Sequence, residues 1–497
     1  MGENLDKLNE LFNRRSTVEA GGGEELKKKL HSEGKFDARE RIAKLLDDNT
    51  FVEFGAFVNQ RATDFNAVEK YTPSDGVITG YGSIFGRLVF VYSQDSTVMG
   101  GSVGEMHAKK ICGIYEKAMK MGTPVVGFID SSGMRVQESV DALSAYGDIF
   151  KAMTAASGVV PQITAIMGGC MGTSSFIPAL SDFTFAVSKN AKLFMVSPNT
   201  LSGEEGKKGD LSLKEENGLI QFVCEDEESC ISEMRKLIDI VPSNNMEDAP
   251  FFGTGDDINR TEEFLNTIVP ENYDEAVDMG AVIKAVADNG EFIEVQKNFA
   301  KEIKEGFIRV NGYTAGIISN NSYELTYHGT DKALKFLSFC DAFNIPVITL
   351  TDVGGYKAQV SQTALIKSTA KLMAGFAAAT CPKINVIIRK GFGNPYLVMN
   401  SKHIGADVVF AWPTAEVSVM DPVAAVNVMY GSDSAQREEA IEKYRENNSS
   451  PYFAAKRGYI DDIIEPSATR KRIGAVLEML ATKREGKPAK KHSSFTI

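Results

Sequence analysis

Histidine and cysteine are scarce in this 497-residue chain, and neither is arranged for chemistry. The five histidines form no HxxxH or HxH pair, so no zinc spacing is present and no metal is expected. The six cysteines, Cys112, Cys170, Cys224, Cys230, Cys340 and Cys381, form no CxxC pair and are expected as free, mostly buried thiols. Nucleophilic catalysis has no support, because no serine or cysteine reads with a histidine partner. Basic charge is also short: 54 Lys and Arg stand against 66 Asp and Glu, a net charge of −12. Nucleic acids and anionic membranes need a basic face that this chain lacks, so an anionic ligand would require a local patch. No apolar run approaches membrane-spanning length, and the first residues lack a charged-then-apolar signal pattern. Asp6 stands where an N-myristoylation site needs Ser or Thr. A cytoplasmic protein of two or three domains is expected, at 43% hydrophobic and 24% charged residues.

What is abundant is repetition. Thr123–Gly133 reads TPVVGFIDSSG and Ile345–Gly355 reads IPVITLTDVGG. Val160–Gly172 reads VPQITAIMGGCMG and Cys381–Gly393 reads CPKINVIIRKGFG, with the same offset to within one residue. A duplicated domain follows. Each copy twice runs an apolar strand into a glycine turn, a place where backbone N–H groups can face a ligand. Two related sites with two different occupants are implied.

Around the repeats, residues 1–45 read as charged and helical, with Lys27–Lys29 on a solvated face and helical spacing through ARERIAKLL, Ala38–Leu46. GYGSIFG, Gly80–Gly86, reads as a hairpin between strands, echoed by GFIRVNGYTAGII, Gly306–Ile318. Residues 201–240 are polar and acidic. VPSNNMEDAPFFGTGDDINR, Val241–Arg260, reads as a linker, and a helix is expected near 274–287. Domains at 1–245 and 260–497, each of α/β class, are expected, with a frayed basic tail over 483–491.

Asp130-Ser131-Ser132-Gly133-Met134 is expected to end a strand and open a helix. N–H groups at such a junction can stabilise an oxyanion, or Asp130 and a serine can simply cap the helix. Gly168-Gly169-Cys170-Met171-Gly172-Thr173 is a second turn, open either to a ligand or to close packing. Ser96–Ile111 joins strand to helix through Gly100, Gly101 and Ser102, with Lys109 and Lys110 following. A phosphate-bearing ligand would suit this loop, though no GK[ST] of a Walker motif follows. His107 reads as a packed residue.

GKFDARERIAKLLD (Gly34–Asp47), GGSVGEMHAKKI (Gly100–Ile111), PALSDFTF (Pro178–Phe185), FCDAFNIPVITLTDV (Phe339–Val353), AWPTAEVSVM (Ala411–Met420) and RGYIDDIIEPSATRKRI (Arg457–Ile473) together resemble one family. It is that of the carboxyltransferase (β) subunits of biotin-dependent acyl-CoA carboxylases, propionyl-CoA carboxylase among them, and of methylmalonyl-CoA decarboxylase α subunits. The resemblance runs from about Leu30 to the tail. It implies two tandem crotonase-like (ClpP/crotonase) ββα-spiral domains, the first binding a coenzyme A thioester and the second biotin. The site would lie between the first half of one subunit and the second half of another. Carboxybiotin would release CO2, its ureido nitrogen would take the α-proton of the acyl-CoA, and the enolate would attack CO2. Two oxyanion holes of backbone N–H groups would suffice.

Carried onto this chain, the resemblance puts the thioester hole at Gly133 and Met134, with Ser132 beside them where the family has GGA. Met171-Gly172-Thr173-Ser174 replaces AGGA, so Gly100, Gly101, Ser102, Ser132, Gly172 and Thr173 become the CoA and acyl side. The family's RKAYGGAY appears as Arg389-Lys390-Gly391-Phe392-Gly393-Asn394-Pro395-Tyr396. This places the biotin turn at Gly393 and Asn394, where Pro395 has no N–H to give. DVPGFLPG becomes Asp352–Gln359 with a following loop about two residues shorter, and Asp421-Pro422 follows Met420. The AMKM at Ala118–Met121 has the letters of a biotinylation site but falls late in a helical pattern, so biotin would ride on a separate carrier protein. A biotin carboxylase or decarboxylase subunit and a homo-oligomer, a dimer of trimers, are the other implied partners. Two alternatives remain open at this point: a CoA-thioester enolate enzyme of the same fold without biotin, and a non-catalytic scaffold subunit.

Overall fold

A computed structural model of the chain describes residues 2–61, 71–196, 218–358, 360–431 and 437–494. Part of the acidic stretch at 201–240, and Gln359, lie outside the described residues. Two compact units divide at Glu247 and Asp248.

In the first unit the strands are β1 (Val52–Phe54), β2 (Val77–Ile84), β3 (Arg87–Gln94), β4 (Val125–Ser131), β5 (Gln162–Met171), β6 (Phe183–Val187), β7 (Lys192–Phe194) and β8 (Phe222–Cys224). They form one sheet in the order β1-β2-β3-β4-β5-β6-β8, with β7 on the far end of β5. β1 to β3 are antiparallel and the rest parallel. The expected hairpin is present, as β2 and β3 turning at Phe85-Gly86.

The second unit repeats this plan with β9 (Ile293–Val295), β10 (Ile303–Val310), β11 (Tyr313–Asn320), β12 (Glu324–Leu325), β13 (Val347–Val353), β14 (Gly355–Tyr356), β15 (Lys383–Phe392), β16 (Val408–Ala411), β17 (Glu416–Ser418) and β18 (Asp462–Ile463). The sheet order is β18-β16-β15-β13-β11-β10-β9, β17 pairs with β15, and β12 with β14. The four repeated apolar strands are β4, β5, β13 and β15. β4, β13 and β15 are buried at every position, as parallel strands covered on both faces require. Helices Glu105–Met121 and Val140–Ala156 pack together over one sheet, and Tyr327–Ala342 and Gln362–Ala378 over the other.

Several local expectations shift. The helix expected at 274–287 spans only Met279–Val286, started by the Asp278 carboxylate accepting the Ala281 N–H at 3.1 Å. The basic tail is anchored at its start, because Lys483 donates to the Cys381 carbonyl at 3.1 Å and pairs with Asp407 at 2.8 Å. The AMKM segment lies within helix Glu105–Met121. Five cysteines are buried and Cys112 is half-buried.

Each unit also carries one buried lysine at a matching position of its first packed helix. Lys110 donates to the carbonyls of Ser74, at 2.9 Å, and Val77, while Lys332 donates to those of Gln296, Phe299 and Ile303 at 3.0, 2.9 and 2.8 Å. Both tie down the chain that leads into a hairpin strand, β2 or β10. Burial pushes Lys110 down to about 7 and Lys332 below its usual range. Lys110, which follows the loop expected to suit a phosphate-bearing ligand, is not available to one: its ammonium is spent inside on backbone oxygens.

Near Lys332, the Glu305 carboxyl is fully enclosed, and burial raises it to about 8 despite the lysine's field. The native state therefore keeps a proton that the unfolded chain has released above its ordinary carboxylate range, so stability falls as pH rises from about 4.5 to 8. Glu305→Gln should stabilise the protein by about 2–4 kcal/mol at pH 8.5 and leave it nearly unchanged at pH 4.5. Urea unfolding at the two pH values checks this, and an equal effect at both would refute it.

Candidate active site

Three segments of the first unit meet at the ends of β4 and β5. The Ser132 N–H donates to the Gly100 carbonyl at 2.9 Å, the Val103 N–H to the Gly133 carbonyl at 2.9 Å, and the Gly169 N–H to the Asp130 carboxylate at 3.1 Å. Gly100, Gly101, Ser102, Ser132, Gly133, Met134, Gly172 and Thr173 thus fall in one cluster of turns. Close approach explains the glycines. A Cβ on Gly101 would stand 2.2 Å from the Asp130 carbonyl oxygen, and one on Gly133, with φ of 100°, 3.0 Å from that of Met171.

The expected helix does not open at Met134. Met134 instead bridges to Val103, and the helix begins at Val140. The intervening residues are held by Arg135, which is fully buried and pairs with Asp75 at 2.7 Å and Glu138 at 2.8 Å. Helix-end polarisation at Gly133 is therefore absent, and what remains is the backbone donors themselves. The Gly133 N–H is held by the Ser131 hydroxyl at 3.1 Å, while the Met134 N–H has no acceptor among the described residues. Gly172, with φ of 58°, opens the helical turn Gly172–Ser175, whose first N–H groups have no acceptor within the turn.

Gly100-Gly101-Ser102-Val103-Gly104 has the letters of a GxSxG nucleophile elbow. Its chemistry is not that of one. Ser102 is buried against Arg135, which donates to its carbonyl at 2.9 Å and to its hydroxyl at 3.4 Å. His107 is enclosed, bonded to the Asp75 carbonyl at 2.9 Å and to Gln94 at 3.2 Å, and burial holds it well below its usual range. Lys109 pairs with Glu105. The loop therefore positions the turns and presents no free cation.

In the second unit the same frame recurs. Asp352 matches Asp130: its carboxylate accepts the Lys390 N–H at 2.9 Å and pairs with Arg389 at 3.0 Å. Gly393 matches Gly172 and shares its φ of 58°. Helix Gly393–Val398 starts there with Pro395 buried inside it, at a position whose N–H would have lacked an intrahelical acceptor. Asn394 is exposed and lines two cavities, of about 360 Å³ beside helix Gln362–Ala378 and about 670 Å³ towards Tyr444–Tyr459.

The charges that set these turns in place, Arg41, Asp75, Arg135, Glu138 and Glu227, are not among the expected site residues: they lie in helices and turns, where a charged residue carries no signal in sequence. Among the described residues no group of three or more His, Cys, Asp or Glu could hold a metal ion, and no helix is long and apolar enough to cross a membrane.

The carboxyl transferase domain matches residues 29–495. Methylmalonyl-CoA decarboxylase subunit alpha of Veillonella parvula is 45% identical over 505 residues, 99% of each chain. The carboxyltransferase subunit of propionyl-CoA carboxylase from Haloferax mediterranei is 43% identical over 99% of each chain. The crystal structure of transcarboxylase 12S with hydrolysed methylmalonyl-coenzyme A bound matches with a TM-score of 0.95 and 41% identity, over 99% of this chain and 98% of that one. Both units have the crotonase-like architecture that the resemblance implied. The duplicated turns at strand ends and these full-length matches agree, and the chain belongs to the carboxyl transferase family.

Proposed function

We propose that this enzyme moves a carboxyl group between carboxybiotin, borne on a separate carrier protein, and an acyl-CoA of the propionyl or methylmalonyl type. The carrying observation is the free Met134 N–H beside the Gly172 turn, a fixed backbone donor held by the close-packed glycine turns. That equipment suits an enolate, whose charge sits on the thioester oxygen and needs only donors held in place. The first unit takes the thioester, with the Met134 N–H at its oxygen, Gly133, whose own N–H is held by Ser131, fixing that peptide, and Gly100, Gly101, Ser102, Ser132, Gly172 and Thr173 shaping the acyl and CoA side. Biotin supplies a carboxyl group releasable as CO2 and a ureido nitrogen that can hold the α-proton. The second unit has room for it beside Gly393 and Asn394, the first N–H groups of a helical turn open to two cavities.

The names of the relatives support the substrate class, and the hexamer described for transcarboxylase 12S supports a homo-oligomer here. A carrier and a biotin carboxylase or decarboxylase subunit complete the reaction.

The test is turnover of methylmalonyl-, propionyl- and acetyl-CoA with and without free biotin, followed by label exchange at the carboxyl group. Biotin-dependent exchange is expected. CoA-ester binding with biotin-independent turnover would favour an enolate enzyme of another kind, and no CoA-ester binding at all would favour a scaffold.

A further inference from the structure

The two units can be compared with each other, because they are copies. β5 and β15 are each followed by a glycine with φ of 58°, Gly172 and Gly393, which opens a helical turn. The next two residues are Thr173-Ser174 in one copy and Asn394-Pro395 in the other. Up to this point the frames coincide, even to the aspartate, Asp130 or Asp352, whose carboxylate accepts a backbone N–H of the neighbouring strand. The first copy therefore offers three successive N–H groups, at Gly172, Thr173 and Ser174. The second offers two, because Pro395 has none.

One polar side chain lies next to the missing donor in sequence and lines both cavities. Asn394 is exposed at the junction of both cavities, and its amide has no partner among the described residues. Tyr396 is 4% exposed and the Ser418 hydroxyl donates to the Met420 carbonyl at 2.5 Å, while Gln362 and Asn448 each line one of the cavities and Asn394 is the polar residue that lines both. A primary amide carries two N–H donors and can take up the role of a backbone N–H towards an oxygen that gains negative charge.

We propose that the side-chain amide of Asn394 is a catalytic donor of the second unit, hydrogen-bonding the ureido oxygen of biotin in place of the N–H that Pro395 lacks. This rests on the carboxyl-transfer reading above. It makes the second site a mixed hole of backbone and side-chain donors, unlike the all-backbone turn of the first.

Four full-length variants test it: Asn394→Ala, Asn394→Asp, Pro395→Ala and the double variant Asn394→Ala/Pro395→Ala. Readouts are kcat with free biotin, the affinity for free biotin by calorimetry, and the affinity for methylmalonyl-CoA. Asn394→Ala should lower kcat by about 10²–10³-fold and weaken biotin binding, with methylmalonyl-CoA affinity unchanged. Asn394→Asp should be worse still, since it sets a carboxylate against developing negative charge. Pro395→Ala alone should keep or raise kcat, since it adds a donor and removes none. The double variant should regain about tenfold or more over Asn394→Ala, because alanine in place of the proline restores a backbone N–H. Wild-type kcat and biotin affinity in Asn394→Ala overturn the proposal while leaving carboxyl transfer intact, and so does a double variant no better than Asn394→Ala. A wild-type protein that neither binds nor needs biotin overturns the functional reading and this inference together.

Discussion

Gly133→Val should cut kcat/KM for an acyl-CoA by at least about 10²–10³-fold, the loss that follows when a fixed oxyanion donor is displaced. Two effects combine. Gly133 has φ of 100°, a region where a β-branched residue is strained, and a Cβ there meets the Met171 carbonyl oxygen at 3.0 Å. That oxygen belongs to the residue before Gly172, so the new side chain must part the two glycine turns that form the cluster. The Gly133 carbonyl also accepts the Val103 N–H, and the same peptide carries the Met134 N–H, so a tilt at Gly133 re-aims the free donor. Gly133→Ala should fall between wild type and valine, since it adds the contact without β-branching. Biotin affinity, which the proposed function assigns to the second unit, should not change. Turnover in Gly133→Val equal to wild type would remove the first-unit turn as the thioester site.

Much of this arrangement was legible in the sequence because it is written in local pattern. Glycines follow apolar strands at the same offset in both halves, and the hairpins carry Gly86 and Gly312 at their turns. What was not legible depends on partners far along the chain. The stretch after Ser132 reads as a helix start, yet Arg135 finds Asp75 sixty residues away, and only a short 3-10 turn at Val136–Glu138 precedes the helix at Val140. Lys110 reads as a solvated or ligand-binding cation, and is instead claimed by the carbonyls that lead into β2. GKFDARERIAKLLD reads as an amphipathic surface helix with a family likeness. Helical periodicity says which face is buried, but not that Arg41 on that face reaches the aspartate at the end of β4.

That reach gives the second large effect. Arg41 is 1% exposed and forms two bonds to Glu227, at 2.8 and 2.7 Å, and one to Asp130 at 3.2 Å. Asp130 in turn holds the Gly169 N–H and the Ser96 hydroxyl, each at 3.1 Å, three residues before the Gly172 turn. Replacing Arg41 with Met keeps most of the volume but leaves two enclosed carboxylates without their cation, which costs about 3–5 kcal/mol. For a unit of this size that corresponds to a melting temperature lower by roughly 6–20 °C. Activity should fall further than stability explains, because a displaced Asp130 releases the strand that carries Gly172. An Arg41→Met protein that melts like wild type at pH 8 would show that the opening helix does not hold the site.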